Sequence, residues 1–259
     1  MDRTACLQGE RTRCVRLDAW RGSAPRRYRE VADVRGPRPV VGWVPSRVGS
    51  RVRQQVGQGP GRRRGGDPMT TVVLFHSVLG RRPAVDRFAD ELRADGHEVV
   101  VADLFEGKTF DDYPPALAER DRLGIPTMLE RAHAAVAEVT GPRIVVGTSL
   151  GTAPATVTAA ASPDTRGLVL IQGILPLEML GIERWPADVP IQLHLSPGDP
   201  WCEDDEVSEA LPGYGDASIE RHDYPGTDHL FDDEDLAVHE PAASSQLRDR
   251  IREFVARKG

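Results

Sequence analysis

Cysteine is scarce in this 259-residue chain: Cys6, Cys14 and Cys202 are an odd, scattered set. They have neither the even count of a disulfide framework nor the spacing of a metal site. Aromatic residues make up only 5% of the chain. No apolar run approaches the roughly 18 residues that a membrane-spanning helix needs. The N-terminus lacks the apolar stretch of a secretory signal. No internal repeat is visible, and no G-x-G-x-x-G follows the first strand-like segment. The one glycine-flanked turn, GTSLGT, lacks the lysine of a phosphate loop, which argues against a nucleotide site. These absences lead us to expect a reduced, cytoplasmic protein without metal or cofactor.

What is there falls into two unlike parts. Residues 1–68 hold 16 Arg, no Lys and 6 acidic residues. Residues 69–259 hold the other 17 of 33 basic and 34 of 40 acidic residues, so a basic leader precedes an acidic body. The leader, as in SRVGSRVRQQVGQGPGRRRGGDP, cannot bury enough apolar surface to offset the entropy of ordering, and disorder is expected. An arginine-rich arm could neutralise phosphates. Arg without Lys, together with Gly, Pro and Val, is also what GC-rich DNA encodes in any frame. Met69 stands directly before TTVVLFHS, so residues 1–68 read as an over-extended start. Neither nucleic acid nor a membrane is an expected partner.

From Met69 onward, short Val/Ile/Leu runs alternate with amphipathic stretches, the pattern of βα units that build a parallel sheet. Strands are expected at Thr71–Phe75, Glu98–Ala102, Arg143–Gly147, Gly167–Gln172, Pro190–Leu195 and Ile219–Tyr224. Helices are expected near Pro83–Asp95, Thr127–Val139, Leu150–Ala161, Glu203–Leu211 and Ser244–Arg257. In the last, Leu247, Ile251, Phe254 and Val255 form one apolar stripe facing the core. The polar stretch Phe105–Gly124, with its Asp-Asp-Tyr-Pro-Pro, reads as a surface loop carrying a short helix.

Ligands of open parallel sheets gather outside the carboxyl ends of the strands. There, Gly147-Thr148-Ser149-Leu150-Gly151 fits G-x-S-x-G with a strand before it and a helix after it. A serine hydroxyl is a weak nucleophile until a positioned base takes its proton, and that base needs an orienting acid. His229 lies in a loop opened by Pro225-Gly226 just after the last strand and can reach Ser149. His97, His133, His194 and His222 read as ordinary surface or core residues, His239 sits in an acidic C-terminal loop, and His76 shapes the pocket. Asp199 sits in a Gly/Pro-fixed turn after the fifth strand. Asp204, Asp205 and Glu206 fall in the first turn of the next helix, where acids suit the dipole anyway. The order Ser149, Asp199, His229 is the order of α/β-hydrolases. An oxyanion hole is expected from the backbone N–H groups of Val78 and Leu150.

With these residues placed, the chain resembles the dienelactone hydrolase family, specifically its small bacterial members. The resemblance runs through VVLFHSVLG, FADELRADGHEVVVADLFEGKTFDD, VVGTSLGTAPA, QLHLSPGDPW and YPGTDHLFDDEDL, across residues 71–259. It implies an α/β-hydrolase-like three-layer sandwich with a mainly parallel sheet of about six strands. It also implies an enzyme without a large lid or a metal, acting on a small ester or lactone. The expected assembly is a monomer or small homo-oligomer.

Two departures limit the likeness. The family enzyme uses a cysteine nucleophile, where this chain has Ser149, and a glutamate in the oxyanion loop, where it has Ser77. The family also holds a substrate carboxylate with arginines, one of them shortly after the catalytic histidine. Leu230-Phe231-Asp232-Asp233-Glu234 stands there instead and is expected to repel an anion. Trp201 and Phe231, next to the acid and base, are expected either to wall an apolar acyl pocket or to pack against helices. The alternative is a non-catalytic binding or scaffold protein, suggested by Asp228, a second carboxylate directly before His229.

Overall fold

The computed structural model describes residues 70–259. The leader expected over residues 1–68 lies outside them. Six parallel strands form one sheet in the order β2-β1-β3-β4-β5-β6. They are β1 (Thr71–Phe75), β2 (Glu98–Ala102), β3 (Arg143–Thr148), β4 (Thr165–Ile171), β5 (Ile191–Leu195) and β6 (Ile219–Asp223). The helices are α1 (Pro83–Ala94), α2 (Tyr113–Val136), α3 (Thr152–Ala161), α4 (Asp204–Ala210) and α5 (Pro241–Lys258). None of the described helices is long and apolar enough to cross a membrane.

Alternate strand residues feed two cores, as the two-residue period of a strand requires. Val73, Phe75, Val145, Leu168 and Leu170 pack with Met128 and Ala132 of α2, Ala155 of α3 and Val207 of α4. Val72, Leu74, Ile144, Val146, Val169 and Ile171 pack with Leu92 of α1 and Leu247, Ile251 and Phe254 of α5. The result is the expected three-layer sandwich, with the α5 stripe buried as anticipated. The edge strand β6 carries Glu220, Arg221 and Asp223, charges that discourage pairing with a further strand.

Two elements differ from expectation. The stretch Phe105–Gly124 is not mainly loop: α2 begins at Tyr113 and breaks at Gly124, where φ is +74°. Prolines 114 and 115 stand in the first turn of α2, where no intrahelical N–H donor is needed, so they start a helix instead of interrupting one. Strand β4 starts two residues early, at Thr165, because a register shift opposite Arg143 and Ile144 admits the polar Thr165-Arg166 pair. It also ends one residue early, at Ile171, so that Gln172 directly follows the strand.

Candidate active site

Where β3 ends, the chain turns through a short 3₁₀ segment, Ser149–Gly151, into α3. Ser149 has φ of +51°, a left-handed conformation that is unfavourable for a residue with a side chain. The flanking glycines make room for that turn. A Cβ on Gly147 would lie 2.4 Å from the Gly151 carbonyl oxygen, and one on Gly151 would lie 2.4 Å from the Phe75 oxygen. The elbow therefore presses directly against the end of β1 and the loop that follows it. The Thr152 hydroxyl donates to the Ser149 carbonyl at 2.7 Å and braces the turn from the α3 side.

Three of the sequence-predicted residues meet here. The Ser149 hydroxyl lies 2.8 Å from His229 Nε2, and His229 Nδ1 lies 2.6 Å from Asp199 Oδ2. Asp199 and His229 are 1% and 6% exposed, whereas Ser149 is partly open to solvent. The other carboxylate oxygen, Asp199 Oδ1, accepts the Trp201 N–H at 2.9 Å, an Asx-type turn that fixes the acid. With Nδ1–H donating to a carboxylate, Nε2 is the free acceptor for the serine proton. Asp228 is exposed and takes neither ring nitrogen; its backbone carbonyl is used instead, by Gln172.

Of the seven histidines, His229 is the one bonded to Ser149. His76 is committed elsewhere: Nδ1–H donates to the Ser77 carbonyl at 2.7 Å and Nε2 accepts the Leu104 N–H at 2.9 Å. Burial holds it neutral, with its pKa below the usual imidazole value. It thereby ties the loop after β1 to the loop after β2. His194 is sealed beneath α5 between Gln192 and the Tyr224 hydroxyl, and burial keeps its pKa well below the ordinary range.

Val78 sits inside a tight turn closed by the Gly80 N–H to the Ser77 carbonyl, while Ser77 Oγ accepts the Leu79 N–H. The Val78 N–H itself has no acceptor among the described residues. Leu150 lies in the first turn of the 3₁₀ segment, where N–H groups have no intrahelical partner.

Three placements bear on the expected pocket walls and charges. Of its two expected roles Phe231 takes the packing one: it is 1% exposed and lies on Tyr224 in the α5-side core. The left-handed Leu230, with φ of +61°, sends residue 231 to the opposite face of the sheet. Second, the acids after His229 do not all confront a ligand. Asp233 binds the buried Arg82 at 2.8 Å, and Glu234 and Asp235 pair with Arg87 of α1. Repulsion of an anionic substrate therefore cannot be assigned to those three. Third, the aromatic partner of Trp201 is Tyr113, at the start of α2. Their ring centres are 4.8 Å apart and lie 5.9 and 6.3 Å from the His229 ring.

Sequence reasoning missed Gln172. Its Nε2 donates to the Asp228 carbonyl at 3.0 Å and approaches Asp199 Oδ2 at 3.4 Å, and its Oε1 accepts the Leu230 N–H at 2.7 Å. The available signal was a lone polar residue at the carboxyl end of the otherwise apolar GLVLIQ. Among the described residues, no group of three His, Cys, Asp or Glu side chains is arranged to hold a metal ion.

No protein-family model and no curated protein matches this chain. Solved structures do. A dienelactone hydrolase-like promiscuous phosphotriesterase from metagenomic libraries aligns with a TM-score of 0.62 at 17% identity, over 75% of this chain and 88% of its own. A dienelactone hydrolase from Anabaena variabilis gives 0.54 at 22% identity, over 73% and 87%. A monoacylglycerol lipase from Paleococcus ferrophilus gives 0.54 at 10%, over 73% and 95%. At such identities the likeness speaks for architecture alone. The chain has the α/β-hydrolase fold, in the form found in dienelactone hydrolase and its structural relatives.

Proposed function

We propose that this protein is a serine hydrolase that cleaves a small ester or lactone through an acyl-enzyme. The observation that carries the reading is the unbroken line from Ser149 Oγ to His229 Nε2 at 2.8 Å and from His229 Nδ1 to Asp199 at 2.6 Å. Ser149 Oγ attacks the carbonyl carbon while its proton passes to His229 Nε2, and Asp199 stabilises the resulting imidazolium. The Leu150 and Val78 N–H groups receive the developing oxyanion, each such donor being worth about 10²–10³ in turnover. Collapse returns the Nε2 proton to the leaving alkoxide. Water then attacks the acyl-enzyme with His229 as base, and the acid departs.

Tyr113 and Trp201 beside His229 favour a compact apolar group in the substrate. The nucleophile is an alcohol, so the thiol-activating glutamate of the family enzyme has no task, and Ser77 serves its own turn instead. A single free, buried cysteine among the described residues suits a cytoplasmic enzyme.

Ser149→Ala should lower hydrolysis of short p-nitrophenyl esters by about 10⁶-fold, and a phosphonate probe should label Ser149 alone. A Ser149→Ala variant as active as the parent refutes the mechanism. Inertness of the folded parent toward a broad ester and thioester panel would favour a binding or scaffold role.

A further inference from the structure

We infer that Gln172 is a positioning residue for the His229 loop, the part that keeps base and acid in register with the nucleophile. The inference rests on the proposed mechanism for its effect on rate, but the geometry stands independently of turnover. Gln172 is 1% exposed and lies one residue beyond β4 with φ of +50°, its own N–H held by the His194 carbonyl at 2.8 Å. That bond anchors the residue to β5, so the side chain projects from a fixed base.

The carboxamide grips the peptides on either side of His229. Its oxygen takes the Leu230 N–H at 2.7 Å and its nitrogen donates to the Asp228 carbonyl at 3.0 Å. A backbone N–H can only donate and a carbonyl can only accept, so these two partners fix which end of the amide is which. The pairing copies what a neighbouring strand would offer an extended chain. It reaches across 56 and 58 residues of sequence to a loop outside every ladder. The same nitrogen lies 3.4 Å from Asp199 Oδ2, the oxygen that binds the His229 imidazole. One amide thus links the ends of β4 and β5 to the loop after β6, the loop that carries His229.

Two features give the clamp a task. Leu230 is left-handed at +61°, a conformation a leucine rarely keeps without an external hold, and Gln172 binds its N–H. The loop also contains Gly226 at +101°, which leaves its entry conformationally free. Without the clamp the imidazole can drift while the fold persists, and a displacement near 1 Å costs about 10²-fold in rate.

The test uses the full chain with Gln172→Leu and Gln172→Glu. Leucine removes donor and acceptor; glutamate keeps an acceptor for Leu230 but loses the donor and places a second carboxylate beside Asp199. The deciding measurement is the low-field proton resonance of His229 Nδ1–H bonded to Asp199, read alongside kcat and KM for p-nitrophenyl acetate and the melting curve. Folded variants should lose or broaden that resonance. Their kcat should fall about 10²-fold with KM within about twofold, since the uniform binding of the ester is untouched. A folded variant of either kind that keeps the parent resonance overturns the inference, whatever its rate. The glutamate variant serves if leucine prevents folding. An active Ser149→Ala protein would sink the proposed mechanism but leave the resonance test of Gln172 intact.

Discussion

Gly151→Ala sets two physical effects against each other with opposite signs. Gly151 has helical dihedrals, φ −65° and ψ −14°, at the start of α3. On propensity alone, alanine there should stabilise by up to about 1 kcal/mol. The added Cβ, however, would stand 2.4 Å from the Phe75 oxygen and 2.7 Å from the His76 oxygen, and both are backbone atoms that cannot rotate away. An ordinary contact needs about 3.5 Å, so the elbow must retreat from β1 by about 1 Å. Overpacking of this kind costs about 1–3 kcal/mol. Set against the propensity gain of about 1 kcal/mol, the middle of that range leaves a net loss near 1 kcal/mol, which lowers Tm by about 2–4 °C in a domain of this size. The retreat also moves the Leu150 N–H away from the loop of Val78, for which a further loss of about 10²-fold in kcat is expected. The control is Gly213→Ala, whose Cβ would meet nothing nearer than Leu177 Cγ at 3.7 Å, an ordinary distance; it should leave Tm and kcat unchanged. Melting curves and ester hydrolysis read both variants. A Gly151→Ala protein that melts at or above the parent temperature and turns over normally refutes the close packing of the elbow on β1.

Two further outcomes are expected. Burial pushes the Cys202 thiol up to about 12, so iodoacetamide at pH 8 should leave the Cys202 peptide unlabelled in the folded protein and activity unchanged; labelling at the rate of an exposed thiol contradicts its placement. Asp232 has a buried, unpartnered Oδ1, and desolvation raises its pKa from 3.8 to about 6. Because the unfolded chain releases this proton first, the carboxyl subtracts stability progressively as pH rises from about 4 to about 6 and fully above that. Asp232→Asn should therefore stabilise the protein by up to about 3 kcal/mol at pH 8 and by little at pH 4. Urea unfolding at the two pH values measures this, and an equal effect at both removes the buried-carboxyl account.

Much of the fold can be read from apolar periodicity, since a strand covered on both faces carries its own signature. VVLF, IVVG and LVLI each declare a buried strand, and Leu247, Ile251 and Phe254 declare the face of α5 that covers them. The failures lie where polar residues are employed structurally. Thr165-Arg166 enters β4 through a register shift that no periodicity announces. Asp112-Tyr113-Pro114-Pro115 has the composition of a turn, yet proline in a first helical turn is at home there. Phe231, two places from His229, could be read either as a pocket wall or as a packing residue. Its side depends on the sign of one dihedral, at Leu230, which the sequence does not display.

The candidate site divides along the same line. Ser149, Asp199 and His229 are legible because each sits in a turn with a local reason for its shape: close-approach glycines, an Asx turn, a Pro-Gly entry. What aligns them is not local. On one side Gln172 holds the peptides flanking His229 from a position 56 and 58 residues away. On the other, Arg82 lies 2.8 Å from Asp233 and also donates to the Asp235 carbonyl, across 151 and 153 residues, with further bonds to Phe110 and Asp111. The pair with Asp233 is buried, so removing Arg82 would leave the Asp233 carboxylate uncompensated beside the loop. Along the chain, Gln172 holds the peptides on either side of His229 and Arg82 holds Asp233 and Asp235 just beyond them. A chain could carry the same serine elbow, acid and histidine in the same order and still hold the ring out of reach. On the proposed reading, the motif supplies the reacting groups and residues outside the motif hold them within reach of one another.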